Sequence, residues 1–186
     1  EILLAGYHRK LNTGSSNKNT AVFMAMSESP TKSTDWIINP QVVGGLDVVS
    51  GGTDPVAVGI GEEDGHILYQ DTRNDTTGLD RLGLWYSHGL PEQTSWSYRK
   101  AVGDYAFAPV ISVSEISDED VIVASWGEGY DQSSELVTMV VDSSFSPIGE
   151  GEVRTASRGL GYIQLLETDR GVQLFFDFVG PSGPQM

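Results

Sequence analysis

The side chains best suited to chemistry in this chain are carboxylates, three histidines and a set of aromatics. Hydrolysis of a glycosidic bond needs two carboxylates across the scissile bond, about 5–5.5 Å or about 6.5–9.5 Å apart according to mechanism. Asp54, directly before Pro55 at the head of a predicted inner strand, is one candidate, with Asp104 or Glu152 as its partner. Nothing in the spacing selects between those partners, and an Asp-Pro pair also serves simply to cap a turn. His8, His66 and His88 fall on separate predicted elements without H-x-H or H-E-x-x-H spacing, so no metal site is predicted from them. Glu62-Glu63-Asp64 and Ser117-Asp118-Glu119-Asp120 offer the oxygen ligands that calcium takes. They lack EF-hand spacing, and hairpin-tip carboxylates are usually just hydrated. Calcium is therefore the one cofactor left open. No Gly-x-Ser-x-Gly, P-loop or dinucleotide fingerprint is present, which removes support for serine-hydrolase and nucleotide chemistry.

Aromatic residues gather where predicted strands meet loops: Trp85-Tyr86, Trp96, Trp126 and Tyr130. Sugar C–H faces stack on exposed rings, so Trp85, Trp126 and Tyr130 are candidate ligand contacts. Trp126 and Tyr130 flank a Gly-Glu-Gly loop and are expected to be exposed. Trp36 and Trp96 instead recur at one position of a repeated motif, which points to packing.

That motif reveals the elements that must position these groups. Ser27-Glu-Ser-Pro-Thr-Lys-Ser-Thr-Asp-Trp36 returns sixty residues on as Ser87-His-Gly-Leu-Pro-Glu-Gln-Thr-Ser-Trp96. A second recurring segment runs from Pro55 to Gln70 and aligns without gaps on Pro109 to Ala124, placing Asp64 on Asp118. Gly161 to Phe176 fits the same frame. Each copy reads as an apolar strand, an acidic turn and a β-rich strand, and Gly or Asp in the turn supplies the positive φ of a hairpin. Polar loops then lead to third strands at 82–87 and 135–142, and fourth strands start near Trp36 and Trp96. Helical periodicity is weak throughout. Repeats of roughly 50–60 residues with four antiparallel strands describe propeller blades. The expected fold is all-β and propeller-like, about three blades' worth, with a β-sandwich as the alternative. The blade units are placed at roughly 1–72, 73–126 and 127–179, and 180–186 reads as a linker or disordered tail. So few blades would leave strand edges open, so self-association or other chains are expected to complete the ring.

Composition bounds the partners. The formal charge is −15 over 186 residues, with four lysines among eleven basic residues. No basic stripe exists to displace counterions, so nucleic acid is excluded as a partner. No apolar run reaches the length of a membrane span. Zero cysteines exclude disulfides and thiolate ligands. An acidic, lysine-poor surface fits an extracellular or exterior setting.

The Ser-x(8)-Trp stretch after a strand resembles blade motifs of glycan-active propellers. One such group is the sialidase-like proteins with Asp-box repeats; another is the five-bladed glycosidases of the arabinanase and invertase type. Gly51-Gly-Thr-Asp54-Pro55-Val-Ala-Val followed by Asp64-Gly-His-Ile-Leu-Tyr69 is similar to the second group. The resemblance implies carbohydrate recognition, with Asp54 as the one carboxylate that carries over to a catalytic position. The Asp-box aspartate and glycine have no counterparts in register, and Asp54-Pro55 becomes Ala108-Pro109 and Leu160-Gly161 in the later copies. A virion or cell-surface scaffold is the other expectation.

Overall fold

The computed structural model describes residues 3–12, 18–27, 31–32, 36–39, 56–61, 64–71, 83–90, 93, 96–103, 105–116, 118–129, 135–149, 153–156, 160–168, 170–180 and 183–185. Among these, every regular element is a strand. The first sheet holds β1 (Leu3–Asn12), β2 (Lys18–Ser27) and β3 (Ile37–Asn39) in sequence order. The second is a four-stranded meander of β4 (Val56–Ile60), β5 (Gly65–Asp71), β6 (Gly83–Gly89) and β7 (Ser97–Val102). The third repeats it with β8 (Ala106–Ile116), β9 (Glu119–Glu128), β10 (Glu135–Asp142) and β11 (Val153–Ala156). The fourth contains β12 (Leu160–Thr168), β13 (Gly171–Gly180) and β14 (Gly183–Gln185). All pairings are antiparallel. The fold is therefore all-β, built from antiparallel sheets, two of four strands and two of three among the described residues. No described helix is long and apolar enough to cross a membrane.

The leading strands of successive sheets pack in series: β1 against β4, β4 against β8, and β8 against β12. This order is propeller-like. Sheet boundaries at 3–39, 56–102, 106–156 and 160–185 replace the three units expected at 1–72, 73–126 and 127–179. Gly183–Gln185, expected within a linker or disordered tail, instead pairs as a short strand with β13.

Strand register also corrects the repeat alignment by one residue. In the second sheet Val56 pairs with Tyr69 and Val58 with Ile67; in the third Ile111 pairs with Ala124 and Val113 with Ile122. Val58 thus corresponds to Val113, and Asp64 does not correspond to Asp118. The fourth sheet follows with Ile163 opposite Phe176 and Leu165 opposite Leu174, as the gapless alignment has it. Side chains alternate faces along a strand, so a slip of one residue exchanges the two faces of a sheet. With the corrected register, each sheet turns the same face toward its predecessor. The third sheet offers Ile111 and Val113 to Gly59 of the second. The fourth offers Glu167, whose carboxylate accepts a 2.9 Å hydrogen bond from the Ser114 hydroxyl of the third.

The principal core lies between the second and third sheets. Leu68, Leu84 and Tyr86 meet Ile111, Val113, Ile122, Ala124, Trp126, Val137, Val141 and Phe145, all buried. Each large apolar side chain buried this way contributes about 1.5–3 kcal/mol before chain entropy is counted. Gly59 is required by this contact: a Cβ there would overlap Val113.

The Ser-to-Trp motif proves to be packing. Ser27 and Ser87 are buried, as is Trp96. The Trp96 indole N–H donates to the Leu90 carbonyl at 2.8 Å, and the Gln93 N–H donates to the same oxygen at 3.1 Å. Gly89 leaves the room that the Trp96 ring occupies. The recurrence of this tryptophan thus records how a turn closes over the end of β6.

Candidate functional site

The described titratable groups concentrate where the β4–β5 hairpin tip meets the third sheet. His66 on β5 and His88 on β6 are direct cross-strand partners, and Tyr86 sits diagonally beside them. Side chains of such neighbours share a face. Their three rings stack, with centroids 6.1 Å apart for His66–Tyr86, 6.1 Å for His66–His88 and 5.6 Å for Tyr86–His88. Asp120, in the first turn-proximal residues of β9, reaches across from the third sheet. Its Oδ2 lies 3.0 Å from His66 Nε2. It fits because Gly61 has no side chain; any Cβ at 61 would stand in the carboxylate's place. Asp64 Oδ2 stands 3.4 Å from His88 Nδ1.

The cluster continues inward. His66 Nδ1 lies 2.6 Å from the Tyr86 hydroxyl, which is 2.9 Å from the Ser143 carbonyl. Ser143 belongs to the turn after β10. There Asp142 Oδ1 accepts from the Ser144 and Ser146 N–H groups at 2.9 and 2.8 Å. Arg99 of the second sheet donates to the Ser144 carbonyl at 2.6 Å. Phe145 from the same turn tilts onto Tyr86, ring centroids 4.8 Å apart. This turn stands where the earlier copies carry their Ser-to-Trp stretch.

Burial governs the electrostatics. His66 is 0% exposed, and its desolvation outweighs the hydrogen bond and charge of Asp120, holding its pKa below the usual 6.5. Burial, reinforced by the carboxylates of Asp64, Asp120 and Asp142, pushes the Tyr86 phenol well above its ordinary range. An Asp–His–hydroxyl series suggests nucleophilic catalysis, but here the imidazole is enclosed and the phenol is directed at main chain. The arrangement joins the second and third sheets through hydrogen bonds. Among the described residues no group of three or more ligating side chains is placed to hold a metal ion.

The residues singled out from sequence separate. Trp126, expected to be exposed for ligand stacking, is 1% exposed and lies in the core. The reason is register: on β9 it stands opposite Val137, on the face turned to the second sheet. Trp85 is half-buried on β6, opposite Lys100. Asp54, Asp104, Glu152 and Tyr130 lie outside the described residues, as do Glu62, Glu63 and Ser117 of the acidic runs. His66 and His88, separate in sequence, are brought together; His8 is on β1. The cross-strand pairing of His66 with His88 is recoverable from the β5–β6 hairpin alone. Asp120 carries no such signal, because its place depends on how sheets stack. A second polar group, on the third sheet, has Arg154 bridging Glu128 at 2.7 Å and Glu135 at 3.0 Å, largely in solvent.

No protein-family model matches this sequence, and a search of curated proteins finds no relative.

Proposed function

We propose that the chain is a structural and interaction scaffold, whose stacked sheets associate with further copies of itself. One observation carries this reading: the face of the fourth sheet turned away from the third exposes large apolar side chains, with Asp177 of β13 the one charge placed on it by alternation. Gln164, Leu166, Thr168, Gln173 and Phe175 share it by register, with Leu166 48% and Phe175 51% exposed. On the corresponding face Gly59 of the second sheet and Ser114 of the third meet the next sheet of the chain. In a chain of net charge −15, a sheet face with a single carboxylate and a half-exposed Phe and Leu fits a covered surface. The proposed occupant is the β1–β3 sheet of a second copy, because within the described residues that sheet has no predecessor. Phe175→Glu tests this. Light scattering after size exclusion should show an oligomer for the native chain and a monomer, equally folded by circular dichroism, for the variant. A native chain that is monomeric at tens of micromolar would overturn the proposal.

A second reading, carbohydrate recognition by a propeller-like module, draws on Tyr105. This aromatic is 49% exposed and held at φ +71° between β7 and β8, its carbonyl accepting from the Gly129 N–H at 3.1 Å. A non-glycine residue held in the left-handed region is a mark of functional loops. On a glycan array, binding lost on Tyr105→Ala with unchanged stability would favour this reading; no binding by the native chain would remove it.

A further inference from the structure

The hydrogen-bond inventory at the second–third sheet junction does not close for a neutral His66. Tyr86 has one hydroxyl hydrogen and two neighbours, His66 Nδ1 and the Ser143 carbonyl, and the carbonyl can only accept. With the imidazole hydrogen on Nε2, facing Asp120, Nδ1 is also an acceptor, and Tyr86 can serve only one of the two. With the hydrogen on Nδ1, Tyr86 serves Ser143, but the bare Nε2 then faces the Asp120 carboxylate at 3.0 Å. Only the doubly protonated ring satisfies Asp120, Tyr86 and Ser143 together. Burial opposes that cation.

We infer that Asp120, His66 and Tyr86 form a proton-operated switch at the junction of the second and third sheets. In the neutral state the His66 Nε2–H donates to Asp120, and the one Tyr86 hydrogen is divided between Nδ1 and the Ser143 carbonyl. When a proton from solvent binds Nδ1, the new N–H donates to the Tyr86 oxygen. The hydroxyl keeps its hydrogen and rotates to the Ser143 carbonyl. The change of charge at β5 is thereby passed to the turn after β10.

Charged groups from every neighbouring element set the operating range. Asp120 of β9 and Asp64 of the β4–β5 turn favour the cation, while His88 of β6 opposes it. Asp142 of β10 and Arg99 of β7 act on Tyr86. Burial is the largest influence and places the folded-state pKa of His66 below its unfolded value of 6.5. Between those two values the unfolded chain binds more protons, so stability rises with pH. The stability that rests on the neutral ring is fully present above about pH 6.5 and is lost progressively as pH falls toward the folded-state pKa, because burial of the cation costs more than the Tyr86–Ser143 bond it completes.

The test is ¹⁵N-histidine NMR on the intact chain, beside urea unfolding at pH 7.5 and 5.5. The expected result is a neutral Nε2–H tautomer for His66 at pH 7.5, titrating below 6.5, and a urea midpoint that falls on acidification. His66→Gln should flatten that fall, and Asp120→Asn should lower the His66 titration further by removing the anion. A His66 that is already charged at pH 7.5, or carries its hydrogen on Nδ1, would overturn the inference. So would an equal pH dependence in wild type and His66→Gln. If His66→Gln does not fold, the tautomer and titration of the native chain still decide the matter.

Discussion

Trp126→Ala is expected to lower unfolding stability by about 3–5 kcal/mol, the range for deleting a large buried aromatic. The side chain is 1% exposed and packed among Ala124, Val137 and the facing sheet. Its indole N–H has no hydrogen-bond partner among the described residues, so the ring acts through volume alone. Trp126→Phe keeps much of that volume and loses no hydrogen bond, and should therefore cost markedly less than the alanine variant. Urea or thermal unfolding of both variants measures the difference. A ring stacked on a sugar at the surface predicts the opposite: near-native stability for Trp126→Ala with a loss confined to ligand binding. That result would return Trp126 to the role its neighbouring glycines suggest.

Phe145→Ala should be comparably damaging, about 3–5 kcal/mol, because the ring is buried and rests on Tyr86. Here the backbone adds a second expectation. Phe145 sits at φ +56°, in the left-handed region, which costs a non-glycine residue about 1–2 kcal/mol. Alanine inherits that cost and glycine does not. Phe145→Gly should consequently be no less stable than Phe145→Ala, reversing their usual order in strands and helices. Paired denaturation curves settle it, and a glycine variant clearly weaker than alanine would show that the turn does not hold this conformation. The same turn receives the Tyr86 hydroxyl and the Arg99 guanidinium, so its geometry matters beyond the ring.

The hairpins were legible in the sequence because alternation and turn chemistry are local. Glu-Asp-Gly before His66 and Asp-Arg-Gly before Val172 mark tips that the structure places at those turns. The order of strands within a repeat followed from the recurrence of two segments in one sequence order. What escaped was face. Aligning Asp64 with Asp118 matched two acidic tips of different length, four residues between Ile60 and Gly65 but two between Ile116 and Glu119. Val58 to Ile67 and Val113 to Ile122 are nonetheless equally long, so the whole segment was aligned one residue out, which exchanges inside for outside. Trp126 was misplaced for a related reason: a tryptophan beside glycines looks exposed unless the facing sheet is known. The His66–Asp120 contact joins residues from different sheets, so no pattern within either strand announces it.

The single repeated orientation of the sheets gives the molecule a direction. One end surface and the other are unlike, and any contact between them is heterologous in the language of symmetry. Copies joined this way form either a closed ring, whose size is fixed by the rotation between neighbouring sheets, or a filament that grows without limit. Closure is then a matter of a few degrees per sheet. Under the association proposed above, substitutions at the Gly59–Val113 contact, where two sheets approach closely, are expected to alter the number of copies in the assembly without touching the proposed surface between copies.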